Sequence, residues 1–233
     1  MTDKRNNTKF FIGLTVALLL PLSFYIIAKL LGKDKLAMPR YFNAQQIDSV
    51  LSNGKMQYDT TFHKVGDVVL QNQMGDMVSL NKDLEGKVLL VEVFFTQCQT
   101  ICPKLTGNMT MLQKAFKKND TTVQLISITI DPENDTVAAL KKYATSFKAD
   151  PDHWWFLTGD RTAIYNYVRN ELKLMVKPSD AGAEELDHTP TIVLIDKDRY
   201  VRGYYNGLDT IALKYCADDI GLLSMQKNRK VRK

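Results

Sequence analysis

Two cysteines separated by three residues, Cys98 and Cys102, stand in the segment FFTQCQTICPKL, directly after an apolar run and just before Pro103. A proline with helical spacing behind it marks a helix start. Both thiols therefore fall near the positive end of a helix, where thiolates are favoured and a cysteine pKa falls. A thiolate is the nucleophile of disulfide exchange and also a metal ligand, so position alone admits either chemistry. Spacing separates them further. Dithiol oxidoreductases use C-x-x-C, whereas the wider C-x-x-x-C gap suits two sulfurs holding one metal ion between them. Two soft thiolates plus an imidazole suit Cu(I), with Cu(II) also compatible; a closed zinc site would want a fourth protein ligand. Two blander readings are a buried apolar pair and a plain structural disulfide. Strand-end loops of α/β sheets are where ligands bind, which weighs against the first.

The third ligand must be sought among three histidines. His63 opens an edge strand, and His153, beside Trp154-Trp155, reads as a surface turn residue. His188 immediately precedes TPTIVLID, a strand expected to pair near the cysteine strand, and is the predicted third ligand. Asp187 beside it reads equally as an orienting partner or a surface carboxylate. Cys216, in ALKYCADDIGLL, reads as a buried structural cysteine.

The elements that must position these residues follow from periodicity. HKVGDVVLQNQMGDMVSL alternates apolar and polar residues around Gln73-Met74-Gly75-Asp76, a hairpin signature. GKVLLVEVFF reads as a strand without a polar face, which belongs in the middle of a covered sheet. Behind Pro103, Leu105, Met109, Leu112 and Phe116 share one helix face. The strand VQLISITID, a helix over 136–148, the strand WWFLTG and a helix over 160–172 follow. TIVLID and YVRGYYNG form a closing hairpin, and a last helix runs from Leu208 to about Met225. Strands alternating with helices give an α/β fold, a mixed central sheet flanked by helices with an extra N-terminal hairpin: the order of a thioredoxin-like core with insertions.

The chain has 233 residues, 45% hydrophobic and 24% charged, enough for one sizeable domain and an anchor. Its net charge of +5 equals the five cations of the terminal KNRKVRK, so the rest is neutral and offers no basic face for nucleic acid. Three cysteines are too few for a disulfide-built fold. From Phe10 to Ala28 nineteen residues carry no charge, which as a helix is roughly 28 Å, close to the ~30 Å hydrocarbon core of a bilayer. A single uncleaved transmembrane helix is expected, because no small-x-small cleavage site follows. Lysines and arginines lie on both sides of it, so charge does not orient the span.

FFTQCQTICPKL, TIDPENDT, WWFLTG and LDHTPTIVLID, in that order and spacing, resemble the SCO/SenC family, membrane-anchored copper-binding proteins of thioredoxin fold that act in cytochrome c oxidase assembly. The similarity runs from about His63 to the last helix, roughly 160 residues. It implies copper ligands at Cys98, Cys102 and His188. It also implies a single-pass inner-membrane protein with its soluble domain on the periplasmic side. The implied recipient of copper is the CuA subunit of cytochrome c oxidase or another copper chaperone. The chain then divides into a cytoplasmic tail (1–9), a transmembrane anchor (10–31), a linker with a short helical piece around Gln45–Leu51 (32–60), the thioredoxin-like domain (61–225) and a basic tail (226–233). Two features depart from the family. Gln99 follows Cys98 where proline is usual, and Thr189-Pro190-Thr191 resembles the cis-proline segment of dithiol oxidoreductases. The second keeps an alternative open, a thiol–disulfide oxidoreductase that keeps a partner's copper-binding cysteines reduced. In it Cys98 attacks and Cys102 resolves.

Overall fold

The computed structural model describes residues 4–31, 40–52, 55–116, 121–175 and 190–225. It separates into two units, Met1–Ala37 and Met38–Lys233. In the first, α1 (Lys4–Leu31) is one helix with Pro21 inside it. Thr15 and Ser23 turn their hydroxyls back onto the carbonyls of Phe11 and Leu20. The expected transmembrane span finds no support at this level: among the described residues no helix is long and apolar enough to cross a membrane. The described side chains of α1 stop at Ile26, and Gly13, Thr15, Pro21 and Ser23 dilute a run that needs ~20 apolar residues.

The second unit opens with an antiparallel pair, β1 (Ala44–Ser52) and β2 (Lys55–Phe62). The helical piece expected around Gln45–Leu51 is therefore a strand. Its partner carries the β-formers Tyr58, Thr60, Thr61 and Phe62. Ser52 lies opposite Lys55, so two residues connect the strands, and in the sequence they are Asn-Gly, the strongest hairpin dipeptide. Pairing along both strands satisfies more backbone than a two-turn helix can.

Seven strands form the main sheet: β3 (Val69–Asn72), β4 (Met77–Ser79), β5 (Val88–Phe94), β6 (Val123–Thr129), β7 (Trp154–Thr158), β8 (Thr191–Ile195) and β9 (Val201–Asn206), in the order β4-β3-β7-β6-β5-β8-β9. β5, β6 and β7 are parallel and central; the outer pairings are antiparallel. The β3–β4 hairpin turns where the sequence placed it, with Asn72 Oδ1 accepting the N–H groups of Met74 and Asp76 and Gly75 at φ +96°.

Alternation along each strand sends side chains to two cores. On one face Leu89, Val91, Val93, Ile126, Ile128, Val193 and Ile195 meet the helix α4 (Arg161–Asn166). On the other, Leu90, Phe94, Leu125, Trp154, Phe156 and Leu194 meet α2 (Cys102–Ala115), α3 (Val137–Ser146) and α5 (Thr210–Met225). This is the mixed sheet flanked by helices that the sequence implied. The helix expected over 160–172 is present but changes its winding: after Asn166 it widens into one π-helical turn, Tyr167–Glu171. That turn brings the Glu171 carboxylate to the Gly66 N–H (2.6 Å) and to His63 Nε2 (3.0 Å).

Candidate metal centre

Because β5 and β6 are parallel, their C-terminal ends share one edge of the sheet. From that edge β5 releases the cysteine loop and β6 releases the segment Asp131-Pro132-Glu133-Asn134-Asp135 that leads to α3. β8 runs the other way and begins there, since Val193 faces Val91 and Thr191 lies two residues further toward the edge. Its start is fastened to α2. Gly207 N–H donates to the Pro190 carbonyl at 2.6 Å, and Asn108 Nδ2 of α2 donates to the Gly207 carbonyl at 2.6 Å. Gly207 allows this close approach: a Cβ there would stand 2.1 Å from Leu105 Cδ1 and would push that side chain of α2 aside.

The cysteine loop ends in α2, whose N-cap residue Ile101 provides no side-chain acceptor. The sulfur of Cys98 takes that role, accepting the Cys102 N–H at 3.3 Å. Cys98 is half-buried and Cys102 buried, and both are free thiols. Burial pushes the Cys98 thiol up. Hydrogen bonds from the Cys102 side chain and from the N–H groups of Cys102, Thr100 and Ile101 outweigh it, and the thiol ends below its ordinary value. Cys102 moves the other way: burial, then the Cys98 sulfur it bonds to, hold its proton well above the usual thiol range. The pair is thus divided into an accessible, readily ionised sulfur and a buried protonated one. Two such thiols, one turn apart at a helix start, can pinch a soft metal ion or exchange with a disulfide.

Two buried carboxylates flank this loop, and the sequence reading passed over both. Glu92, fully buried on β5, faces α2. Ser127 Oγ donates to its Oε1 at 2.6 Å and Thr106 Oγ1 at 3.3 Å, while Trp154 Nε1 donates to Ser127 Oγ at 2.8 Å. Thr106 is one helical turn past Cys102, so Glu92 lies under the first turns of α2. Burial pushes its carboxyl up to about 8, against the Ser127 and Thr106 hydrogen bonds. A single acid inside an otherwise apolar central strand is the signal that would have flagged it. Asp135, also fully buried, accepts from the Thr96 N–H at 3.0 Å and from the hydroxyls of Thr96 and Thr129.

His188, with Asp187 and Thr189, lies outside the described residues, and with it the Thr189–Pro190 bond. Among the described residues there is no cis peptide bond and no group of three or more His, Cys, Asp or Glu able to hold a metal. The other two histidines are engaged elsewhere: His63 with Glu171 and Gln45, at 3.0 Å each, and His153 with Asp150 at 3.3 Å. Cys216 is buried on α5, as read from sequence.

The SCO1/SenC family model matches residues 56–217. The SCO1 protein homolog of Bacillus subtilis (strain 168) is 35% identical over 175 residues, which is 75% of this chain and 90% of that protein. Among solved structures, BsSco, a member of the Sco family of cytochrome c oxidase assembly proteins in which a disulfide switch was identified, aligns with a TM-score of 0.62 at 35% identity, over 71% of this chain and 95% of its own. Bradyrhizobium japonicum ScoI with copper bound aligns at 0.57 and 31% identity, over 69% of this chain and 99% of its own. The helix-capping Cys98, the buried Cys102 and the mixed sheet that carries them all fall inside the span of the family model, and the chain belongs to the SCO1/SenC family.

Proposed function

We propose that this protein binds one copper ion through Cys98, Cys102 and His188 and passes it to the CuA subunit of cytochrome c oxidase or to another copper chaperone. The observation that carries the reading is the capping sulfur, with Cys98 held by the Cys102 N–H at the start of α2 and Cys102 itself one turn away. His188 is the proposed third ligand because it lies two residues before Pro190, whose carbonyl is fastened beside α2 through Gly207. A relative solved with copper bound supports the cargo, and a relative in cytochrome c oxidase assembly supports the destination. An open three-ligand site favours transfer, since an incoming thiolate can bind before any ligand leaves.

The test is competition for Cu(I) by the reduced full-length protein. One equivalent is expected, lost in Cys98→Ala and in Cys102→Ala and collapsed in His188→Ala. A wild-type chain that competes no better than the double cysteine variant sinks the reading.

The unequal thiols favour a second reading, a dithiol reductant. In it the Cys98 thiolate attacks a partner disulfide and releases one partner thiolate. Cys102 then displaces the second, leaving a Cys98–Cys102 disulfide and a partner reduced by two electrons. His188→Ala separates the two, because exchange survives it while copper binding does not. We also propose attachment to the inner membrane through the uncharged N-terminal run, with the domain on the periplasmic side. Twelve large apolar residues between Phe10 and Ile26 stand exposed on α1, and a helix apolar all round wants a bilayer or a partner. Recovery of the full chain in the soluble fraction, without detergent, defeats that placement.

A further inference from the structure

The segment Asp131–Asp135, which the copper reading leaves without a role, contains the second of the two fully buried acids beside the cysteine loop. Asp135 is fully buried, yet the groups that satisfy it are all neutral: the Thr96 N–H at 3.0 Å, the Thr96 hydroxyl and the Thr129 hydroxyl. A buried carboxylate without a cation is costly unless its hydrogen bonds are good, so these three donors are what keep Asp135 in place. What Asp135 fixes is specific. Thr96 is the second residue beyond β5 and stands two residues before Cys98. Thr129 is the last residue of β6, and its hydroxyl also accepts the Asp131 N–H at 3.0 Å. Asp135 itself is braced by its own N–H on the Asp131 carbonyl (2.8 Å) and stands next to Thr136, which caps α3 through the Ala139 N–H.

The upstream end of the cysteine loop is thus tied at Thr96 to a rigid turn between β6 and α3. Between that tie and α2, Cys98 is held by its own N–H on the Phe95 carbonyl (3.3 Å) and by the Cys102 N–H on its sulfur (3.3 Å).

We propose that Asp135 is a positioning residue: through Thr96 it holds the cysteine loop so that the Cys98 sulfur meets the Cys102 N–H at the start of α2 and stands in register with Cys102. It touches neither sulfur and acts only through the loop. The consequence for copper rests on the metal-binding reading above; the consequence for the position of Cys98 does not.

The experiment uses the reduced full-length protein and two readouts, the rate of Cys98 alkylation by iodoacetamide at neutral pH and affinity for Cu(I) alone in ligand competition. Four variants suffice. Asp135→Asn keeps the shape and weakens the clamp. Thr96→Val removes the hydroxyl bond, Thr96→Ser keeps it, and Ile128→Val truncates the opposite face of the sheet. Asp135→Asn is expected to slow Cys98 alkylation about tenfold, because the sulfur moves off the Cys102 N–H, and to weaken Cu(I) binding about 10–100-fold, as loss of a supporting partner does at metal sites. Thr96→Val should move both in the same direction, with Thr96→Ser restoring them and Ile128→Val leaving both unchanged.

A folded Asp135→Asn chain that alkylates at the wild-type rate overturns the proposal. So does an Ile128→Val chain slowed as much as Asp135→Asn, which makes the effect one of general stability. Should Asp135→Asn not fold, the Thr96 pair decides, and a Thr96→Val chain with wild-type Cys98 kinetics overturns the proposal by itself. Failure of the wild type to bind Cu(I) would remove the copper reading and leave the alkylation comparison intact.

Discussion

On the face of the central sheet that meets α4, β5, β6 and β8 set Leu89, Val91, Val93, Ile126, Ile128, Val193 and Ile195 inward, and the one buried polar side chain these strands add there, Gln124 beside Leu89, accepts from Lys87 Nζ at 2.9 Å, away from the cysteine loop. On the face that meets α2, the same strands set Glu92, Ser127 and Thr129, all fully buried, among their apolar neighbours. β5 and β6 pair Glu92 with Ser127 and Phe94 with Thr129, so these groups form one continuous seam under the cysteine loop. A core needs no such seam, because volume-filling apolar residues stabilise as well or better. The difference shows where the fold carries its structural load and where it carries chemistry. One face holds the domain together, and the other also positions two unlike thiols.

The comparison breaks most sharply if the aliphatic face proves to matter for the site. Ile128→Ala removes fully buried methylenes and should cost about 2–5 kcal/mol in denaturant unfolding. The folded fraction should still alkylate Cys98 at the wild-type rate. A change in that rate would mean that the two faces are coupled through the sheet.

Glu92 tests the seam itself. Its carboxyl, pushed up to about 8 by burial against the partial opposition of Ser127 and Thr106, keeps its proton in the folded state where the unfolded chain has already released one. The folded state then binds more protons, so stability is fullest below the ordinary carboxyl pKa and falls as pH rises toward 8. By neutral pH the loss is on the order of 3 kcal/mol. Glu92→Gln lacks this titration, and its unfolding free energy should stay flat between pH 5 and 8 by comparison with wild type, with chemical denaturation across that range as the measurement. An unchanged slope in the variant would place the proton elsewhere.

The seam also predicts that its two ends differ. Cys98, lowered by its N–H donors, should alkylate at least about tenfold faster than Cys102, whose proton burial retains. Peptide mapping after brief iodoacetamide treatment at pH 7.5 reads the ratio, and equal labelling would contradict the division of labour proposed for the pair.

Strand and helix positions were legible in sequence wherever burial imposed a period. β5 and β6 declare themselves by unbroken apolar runs, and α2 by Leu105, Met109 and Leu112 on one face. The cysteine pair was legible because its spacing is local. What escaped was set by contacts between distant segments. Gln45–Leu51 became a strand because Lys55–Phe62 pairs with it, although the Asn-Gly between them announced the hairpin. Glu92 was absorbed into the apolar run around it, and Asp135 into a family motif, since nothing local says that Ser127, Thr96 and Thr129 will converge on them. Pattern reveals faces, and long-range hydrogen bonds reveal which polar residues those faces enclose.

The smallest effect belongs to the aliphatic side, where a polar bond serves only to fasten. Tyr204 packs at the edge of that core, and its hydroxyl accepts from Asn43 Nδ2 at 2.8 Å and donates to the Leu172 carbonyl at 3.0 Å. It thereby pins the segment before β1 to the end of the π-helical turn. Tyr204→Phe keeps the ring and drops both bonds, which should cost about 1 kcal/mol and leave Cu(I) affinity and Cys98 reactivity untouched. Urea unfolding and Cu(I) competition on one preparation decide it. A larger loss of copper than of stability would show that polar groups on the aliphatic side also reach the thiols, and the contrast between the faces would fail.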